Sequence, residues 1–374
     1  MSNNPSLSKI AFYCSSISWG GLEMNTLRYA KAFQSEGFQV KVYLVEGTTL
    51  FQHAIELELP VISIERNKKY FDFTRARLVA KQFEKDEIDI VHFRDNRDLD
   101  FLGWAKFFLS RKIKLIYHQA MQLGVSKKDF LHTLRFKRVD AWVSTLNYMH
   151  QQVLTHTRFP AEMLHVIPLG TAIEADCILS KEEARAALNL PIEKFIVGVV
   201  GRLDEKKGQL DVIRAISSVK ESNKNLLVVF IGDKTKNEAD EYVQKLNEVI
   251  LQEQLQEFVS FLPHQSNMQQ LYGAFDLVIV PSWEETFGTV TIEAMASGVP
   301  IIGSNTAGTA EILENEQFLF HANDPSSLGS TWLEVMNNDA VRADWAIQLQ
   351  HKFQEKYSMK ASMLAWKELI QQIQ

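Results

Sequence analysis

The chain repeats one pattern from end to end: short, near-continuous apolar runs separated by segments with helical spacing. The runs in the first half are KIAFYCS (9–15), QVKVYLVE (39–46), VISIE (61–65), DIVHF (89–93), KLIYHQA (114–120), AWVSTL (141–146) and LHVIPLG (164–170). In the second half they are FIVGVVG (195–201), LLVVFIG (226–232), FVSFLP (258–263), DLVIVPS (276–282) and PIIGSN (300–305). A run that is apolar at nearly every position suits a strand buried on both faces of a parallel sheet. Between runs, spacing such as Leu210, Ile213, Ile216 and Val219 marks one buried helix face. Strand–helix alternation predicts βαβ units. Twelve strands are too many for one eight-stranded barrel, and 374 residues suit two domains at roughly 100–200 residues each. The predicted fold class is α/β, with two Rossmann-like, doubly wound domains facing a cleft. The expected divisions are 1–172, 173–357 and a final amphipathic helix in 358–374, carrying Trp366 and packing back on the first domain.

Charge and cysteine usage exclude several function classes. Two cysteines, Cys14 and Cys177, build no disulfide framework and have no zinc-ligand spacing. No apolar run reaches the ~20 residues needed to span a bilayer. The start, MSNNPSLSKIAFY, lacks a signal-peptide pattern, so a cytoplasmic protein is expected. A net charge of −6 suggests no nucleic-acid partner. That charge is uneven: residues 1–180 hold 23 Lys and Arg against 19 Asp and Glu, and residues 181–374 hold 17 against 27. Residues 101–138 contain nine basic residues and one acid, Asp129, interleaved with aromatic and aliphatic residues. That segment reads either as a solvated face with snorkelling Lys and Arg or as a surface meeting an anionic membrane or acceptor.

Ligands of open α/β sheets bind outside the carboxyl ends of the strands, so the loops there matter most. After the first strand, Gly20 and Gly21 open a helix. Paired glycines let a backbone approach a ligand, and a helix N-terminus attracts oxyanions; a plain helix start explains them equally well. G-x-G-x-x-G is absent, which speaks against a dinucleotide-dependent dehydrogenase. After FIVGVV comes GRLDEKKGQLDVI, where Arg202 and Lys207 can both reach one diphosphate, or can belong to a charged surface turn. The most informative stretch is PSWEETFGTVTIEAMASGVPIIGSN (281–305). Glu285 lies in its loop and Glu293 inside the following helix, while Gly288, Thr289 and Val290 offer backbone N–H groups at the helix start. Carboxylates bind sugar hydroxyls, and amides bind phosphate. Gly298 and Pro300 end the helix.

These residues resemble the retaining family 4 glycosyltransferases of the GT-B fold. The resemblance rests on the GR…KG loop, the E-x7-E element with its flanks, GGLE near the start, a His at the end of the fifth strand, and VIPLG before the linker. It implies that Arg202 and Lys207 hold the donor diphosphate and stabilise charge on the departing nucleotide. It implies that Glu285 contacts hydroxyls of the transferred sugar and that Glu293 binds the ribose. The Gly288, Thr289 and Val290 backbone would cap the diphosphate, and Gly20 and Gly21 would bring the first domain against donor phosphate and acceptor. His118 would lie near the donor sugar, making His118, Arg202, Lys207 and Glu285 the catalytic set. FLPHQ (261–265) has Pro263 and His264 where the family often has a glycine beside the base, and NTAGTAEIL (305–313) resembles the family's glycine-rich loop before a glutamate, with Gly308 and Glu311.

The implied reaction is transfer of a hexosyl unit from a nucleoside diphosphate sugar, a UDP-sugar by preference, to a hydroxyl of a glycan or glycolipid, with retention. Cell-envelope polysaccharide or lipopolysaccharide synthesis is the expected setting, with contact at the inner leaflet through 101–138. Asp98-Leu99-Asp100 has a metal-binding spacing but falls where the fourth helix begins. Arg202, Lys207 and helix amides can take a metal's place, so no metal and no cofactor are expected; the nucleotide sugar is a co-substrate. FRDNRD (93–98), at the fourth strand end, reads equally as a loop for a polar or phosphorylated sugar or as a charged helix cap. Two other classes remain at this level: a nucleotide-sugar epimerase of the same architecture, and a non-catalytic nucleotide-sugar-binding subunit.

Overall fold

The computed structural model describes residues 8–68, 72–171, 173, 178–234 and 239–374. The expected division at 172, and Cys177, lie outside the described residues. The chain forms two compact units. Unit 1 runs to Pro168 and takes in Ser362–Gln374, and unit 2 is Leu169–Ala361. No helix among the described residues is long and apolar enough to cross a membrane.

Unit 1 is built on β1 (Lys9–Cys14), β2 (Gln39–Val45), β3 (Val61–Ile64), β4 (Ile90–Phe93), β5 (Lys114–His118), β6 (Ala141–Ser144) and β7 (Leu164–Val166). They stand in the order β3-β2-β1-β4-β5-β6-β7, all parallel. β4 and β6 are buried at every position, which is why their sequences do not alternate. Trp142 anchors one face, with its ring 4.9 Å from Tyr117, 5.0 Å from Phe136 and 5.3 Å from Phe159. The helix Met359–Ile373 supplies Trp366 to this unit. Its buried indole packs 5.8 Å from Phe33, 5.2 Å from His92 and 5.1 Å from His118, and the Ser362 hydroxyl donates to Pro168 O at 2.9 Å.

Unit 2 contains β8 (Phe195–Val200), β9 (Leu226–Ile231), β10 (Val259–Leu262), β11 (Leu277–Val280), β12 (Ile301–Ser304) and β13 (Leu319–Phe320). The order is β10-β9-β8-β11-β12-β13, again parallel. β13 is a strand that the apolar runs did not reveal. Two residues are too short to leave a pattern, and β12 holds them through register alone. Leu210, Ile213, Ile216 and Val219 are buried together on the helix Gln209–Val219. The linker helix Lys181–Ala187 starts in a capping box formed by Ser180 and Glu183. Its buried Arg185 donates to Ala274 O at 2.9 Å and to Asp276 at 2.7 Å, and Asp276 also accepts from Ile196 N at 2.7 Å.

In each sheet the winding reverses at one place: between β1 and β4 in unit 1, and between β8 and β11 in unit 2. At such a point the two following loops turn to opposite faces and leave a crevice for a ligand.

Asp98-Leu99-Asp100 does begin a helix, Asp98–Phe108. Asp98 is fully buried at the end of β1. It accepts from Ser15 N at 3.2 Å, from the Ser15 hydroxyl, and from Asn67 Nδ2 at 2.8 Å. Burial pushes its carboxyl up to about 7, with the Ser15 and Asn67 hydrogen bonds pulling the other way. The folded state therefore holds this proton more tightly than the unfolded chain, where a carboxyl titrates near ~3.9. The resulting stabilisation is full at low pH and is lost as pH rises through about 7. Between about pH 5 and pH 8 the native protein should lose about 2–3 kcal/mol relative to Asp98→Asn, measured by urea unfolding. Parallel pH profiles for the two proteins would mean that the carboxyl titrates normally.

Candidate functional site

At the reversal in unit 2 the loops after β8 and β11 meet. Gly208 has a φ of +70°, and a Cβ there would lie 2.2 Å from Pro281 O, so only glycine lets the loops close. Trp283 N then donates to Lys206 O at 2.8 Å, and its indole N–H donates to Asp211 at 2.7 Å. This closure carries Lys207, at the end of a 3-10 turn Glu205–Lys207, to Glu285: Nζ donates to Oε2 at 2.6 Å. Both side chains stay partly open to solvent. The exposed Lys206 and Glu284 pair beside them at 3.1 Å.

The same loop leads into the helix Thr289–Ala296, with Gly288 as N-cap. Thr291 and Ile292 N–H turn back to Gly288 O, leaving Thr289 and Val290 N–H as the outward donors of the first turn. Gly308 N donates to Glu285 O at 3.0 Å, and a Cβ at Gly308 would crowd Phe287 O and Glu285 O. Glu293 lies half-buried on that helix and accepts from the Tyr272 hydroxyl at 3.2 Å. Burial, reinforced by Glu293, holds the Tyr272 phenol well above its usual range, so it stays a donor. Arg202, exposed, begins the β8 loop, and its carbonyl accepts from Gln209 Nε2 at 2.7 Å. Six of the expected residues, Lys207, Glu285, Gly288, Thr289, Val290 and Glu293, thus share one loop–helix assembly with Arg202 at its edge. Together they present a cation, carboxylates and helix-start amides, groups suited to phosphate and sugar hydroxyls. Trp283, Asp211 and Tyr272 were not singled out from the sequence, and Gly308 stood out there only as part of a glycine-rich loop before Glu311. Each acts through a contact with a residue distant in the chain.

Unit 1 holds the other expected residues. Gly20 is the N-cap of the helix Gly21–Ser35. A Cβ at Gly20 would meet only Glu23 at 3.6 Å, and one at Gly21 would meet nothing within 4 Å. Neither glycine has a positive φ, so internal packing does not require them. His118 ends β5 and is fully buried. Arg94 Nη1 lies 2.7 Å from its Nδ1 and 3.0 Å from its Nε2, and His92 Nε2 is 3.1 Å from Nδ1. Burial, then the Arg94 charge, holds both imidazoles well below the usual range, so they are neutral. In FRDNRD, Asp95 pairs with Arg97 and Asp98 is internal, so most of this motif is committed to the fold.

The 101–138 segment divides in two. Lys106, Arg111 and Arg135 pair with Asp140, Asp89 and Asp100, and Arg138 stacks 4.0 Å over the Trp104 ring. Lys112, Lys128 and Lys137 are exposed. The same segment exposes Phe107, Phe130 and Leu131, each at least 73%, with Met121 and Val125. Among the described residues no cluster of three or more His, Cys, Asp or Glu could hold a metal ion.

Comparison with known proteins gives a consistent result. Residues 19–175 match the model Glycosyltransferase Family 4, and residues 180–352 match Glycosyl transferases group 1. An uncharacterized glycosyltransferase of Methanocaldococcus jannaschii is 24% identical over 359 residues, covering 88% of this chain and 87% of that protein. The lipopolysaccharide 1,2-N-acetylglucosaminetransferase of Salmonella typhimurium is 28% identical over 222 residues, 58% of this chain and 57% of that one; the match spans little more than half of the relative. The crystal structure of Anabaena HepE in complex with UDP has the same fold, with a TM-score of 0.82 at 21% identity over 97% of this chain and 100% of that one.

Proposed function

We propose that this chain, which belongs to the glycosyltransferases of the GT-B fold and joins a family 4 domain to a group 1 domain, is a retaining hexosyltransferase. Its donor is a nucleoside diphosphate sugar, a UDP-sugar by preference, and its acceptor a hydroxyl of a glycan or glycolipid. The observation that carries this reading is the Lys207–Glu285 contact at the reversal of the unit 2 sheet, beside the amides of Thr289 and Val290. The ammonium has three donors, and Glu285 occupies one, leaving others for a diphosphate oxygen. Glu285, held in place, receives hydroxyls of the transferred sugar, and Glu293 receives those of the ribose.

In the reaction the bond from the anomeric carbon to the diphosphate oxygen breaks. The acceptor oxygen bonds to the same face, and its proton passes to the departing phosphate. Negative charge grows on the diphosphate, so the dominant need is for preorganised positive groups there. Lys207, Arg202 and the helix-start amides supply them, and on this reading the enzyme works without a metal. The resemblance gives His118 a place beside the sugar. Its ring is fully buried against Arg94, so we assign it to positioning that guanidinium.

Envelope glycolipid synthesis is supported by the Salmonella relative's activity and by the apolar, lysine-bearing surface of 101–138. Exposed rings and leucines beside lysines suit an anionic headgroup layer, where each lysine near the surface contributes ~1 kcal/mol.

Lys207→Ala should lower turnover about 100-fold or more with little change in unfolding midpoint, because a half-exposed pair adds little stability. Unchanged kinetics would remove Lys207 from the diphosphate. Activity should survive EDTA; loss that added divalent metal alone restores would overturn the metal-free reading. Sedimentation with vesicles containing anionic lipid should carry the protein down at low salt, and Phe130→Ser with Leu131→Ser should cut that binding about tenfold. Equal binding by the double variant would place membrane contact elsewhere.

A further inference from the structure

We infer that Arg94 receives an anionic group, a phosphate or a carboxylate, carried by the acceptor. The word acceptor rests on the transferase reading above; the anion site stands on unit 1 alone.

Arg94 directly follows β4, at the carboxyl edge of the sheet, and is only 3% exposed. Its Nη1 is spent on His118. Its Nε is buried without a partner, and among the described residues no carboxylate pairs with it. The acids nearby are engaged elsewhere. Asp95 holds Arg97 Nε at 2.8 Å, Asp98 holds Ser15 and Asn67, and Glu23 accepts from the Ser16 hydroxyl at 2.6 Å. The two histidines beside it are neutral and bring no negative charge. Burial, with Arg28 acting in the same sense, pulls Arg94 down to about 10, so it remains charged at neutral pH.

A buried ion without a counterion is among the costliest features a fold can carry, and proteins ordinarily supply an acid. Here the fold builds a guanidinium into the sheet edge, braces it with a histidine and directs Asp95, Asp98 and Glu23 to other donors. A planar donor fork in that state is matched to an oxyanion, which completes its hydrogen bonding and neutralises its charge at once. Its place at the carboxyl end of β4, beside the reversal between β1 and β4, is where ligands of such sheets bind. Gly20 and Gly21, which no internal contact requires, cap and begin the helix that follows β1 on that same edge.

The test is calorimetric titration of UDP-saturated protein with inorganic phosphate, glucuronate and glucose. At least one of the two anions should bind at least tenfold more tightly than glucose. Arg94→Met should weaken that binding at least tenfold. Phosphate binding alone assigns a phosphorylated acceptor, glucuronate binding alone a uronic acid, and binding of both supports the shared oxyanion chemistry. Absence of binding by either anion, glucose binding as tightly, or equal anion affinity in Arg94→Met would each overturn the inference. Arg94→Met removes an unpaired buried charge and should fold; Arg94→Lys, which keeps the charge but not the planar fork, repeats the test, and unchanged anion affinity in both variants would overturn the inference. UDP affinity is measured first. Failure of UDP to bind would sink the donor reading yet leave the comparison of Arg94→Met with the parent protein readable.

Discussion

Unit 2 can present a ligand site because two loops, far apart in sequence, are allowed to touch. The contact is the Gly208 backbone against the Pro281 carbonyl, a place where any side chain would overlap an oxygen. Once the loops close, the Trp283 N–H finds Lys206 O, the indole finds Asp211, and the Lys207 ammonium falls on Glu285. Gly308 secures the Glu285 loop from its other side. The chemistry therefore depends on backbone proximity first and on charge second. Lys207 and Glu285 are the groups that proximity delivers.

The two units treat positive charge in opposite ways. In unit 2 the cation is partly solvated and already has a carboxylate, so its resting state costs little and its remaining donors are available. In unit 1 the cation is buried, braced by a neutral imidazole and, among the described residues, paired with no acid. Trp366, from the far end of the chain, packs beside that imidazole and completes the apolar surroundings that keep it neutral. The C-terminal helix thus helps set the electrostatics of residues more than two hundred positions earlier.

Much of the fold was legible because burial on both faces writes itself into composition. Twelve apolar runs became twelve strands, and the Leu210–Val219 spacing became a buried helix face. β13 was not legible, since two residues carry no period. In the site, Glu285, Glu293 and the helix start could be read as one array because they are consecutive in the chain. The pairing of Lys207 with Glu285 could not, because 78 residues separate them. FRDNRD read equally as a recognition loop or a charged helix cap, and the fold consumes most of its charges, with Asp98 turned inward and Asp95 bound to Arg97. Charge in a sequence does not say whether it faces solvent.

The amino-acid order alone settled what depends on neighbours in the chain: strand and helix period, helix caps and stops, and the grouping of acids and amides after β11. Those features follow from local sterics and from how apolar residues are spaced. Sheet order was left to the tertiary structure, and with it which loops adjoin, which cation meets which acid, and which arginine stays unpaired. Such outcomes depend on distances through space between groups tens to hundreds of residues apart, and Coulomb and hydrogen-bond energies are functions of those distances rather than of position along the backbone.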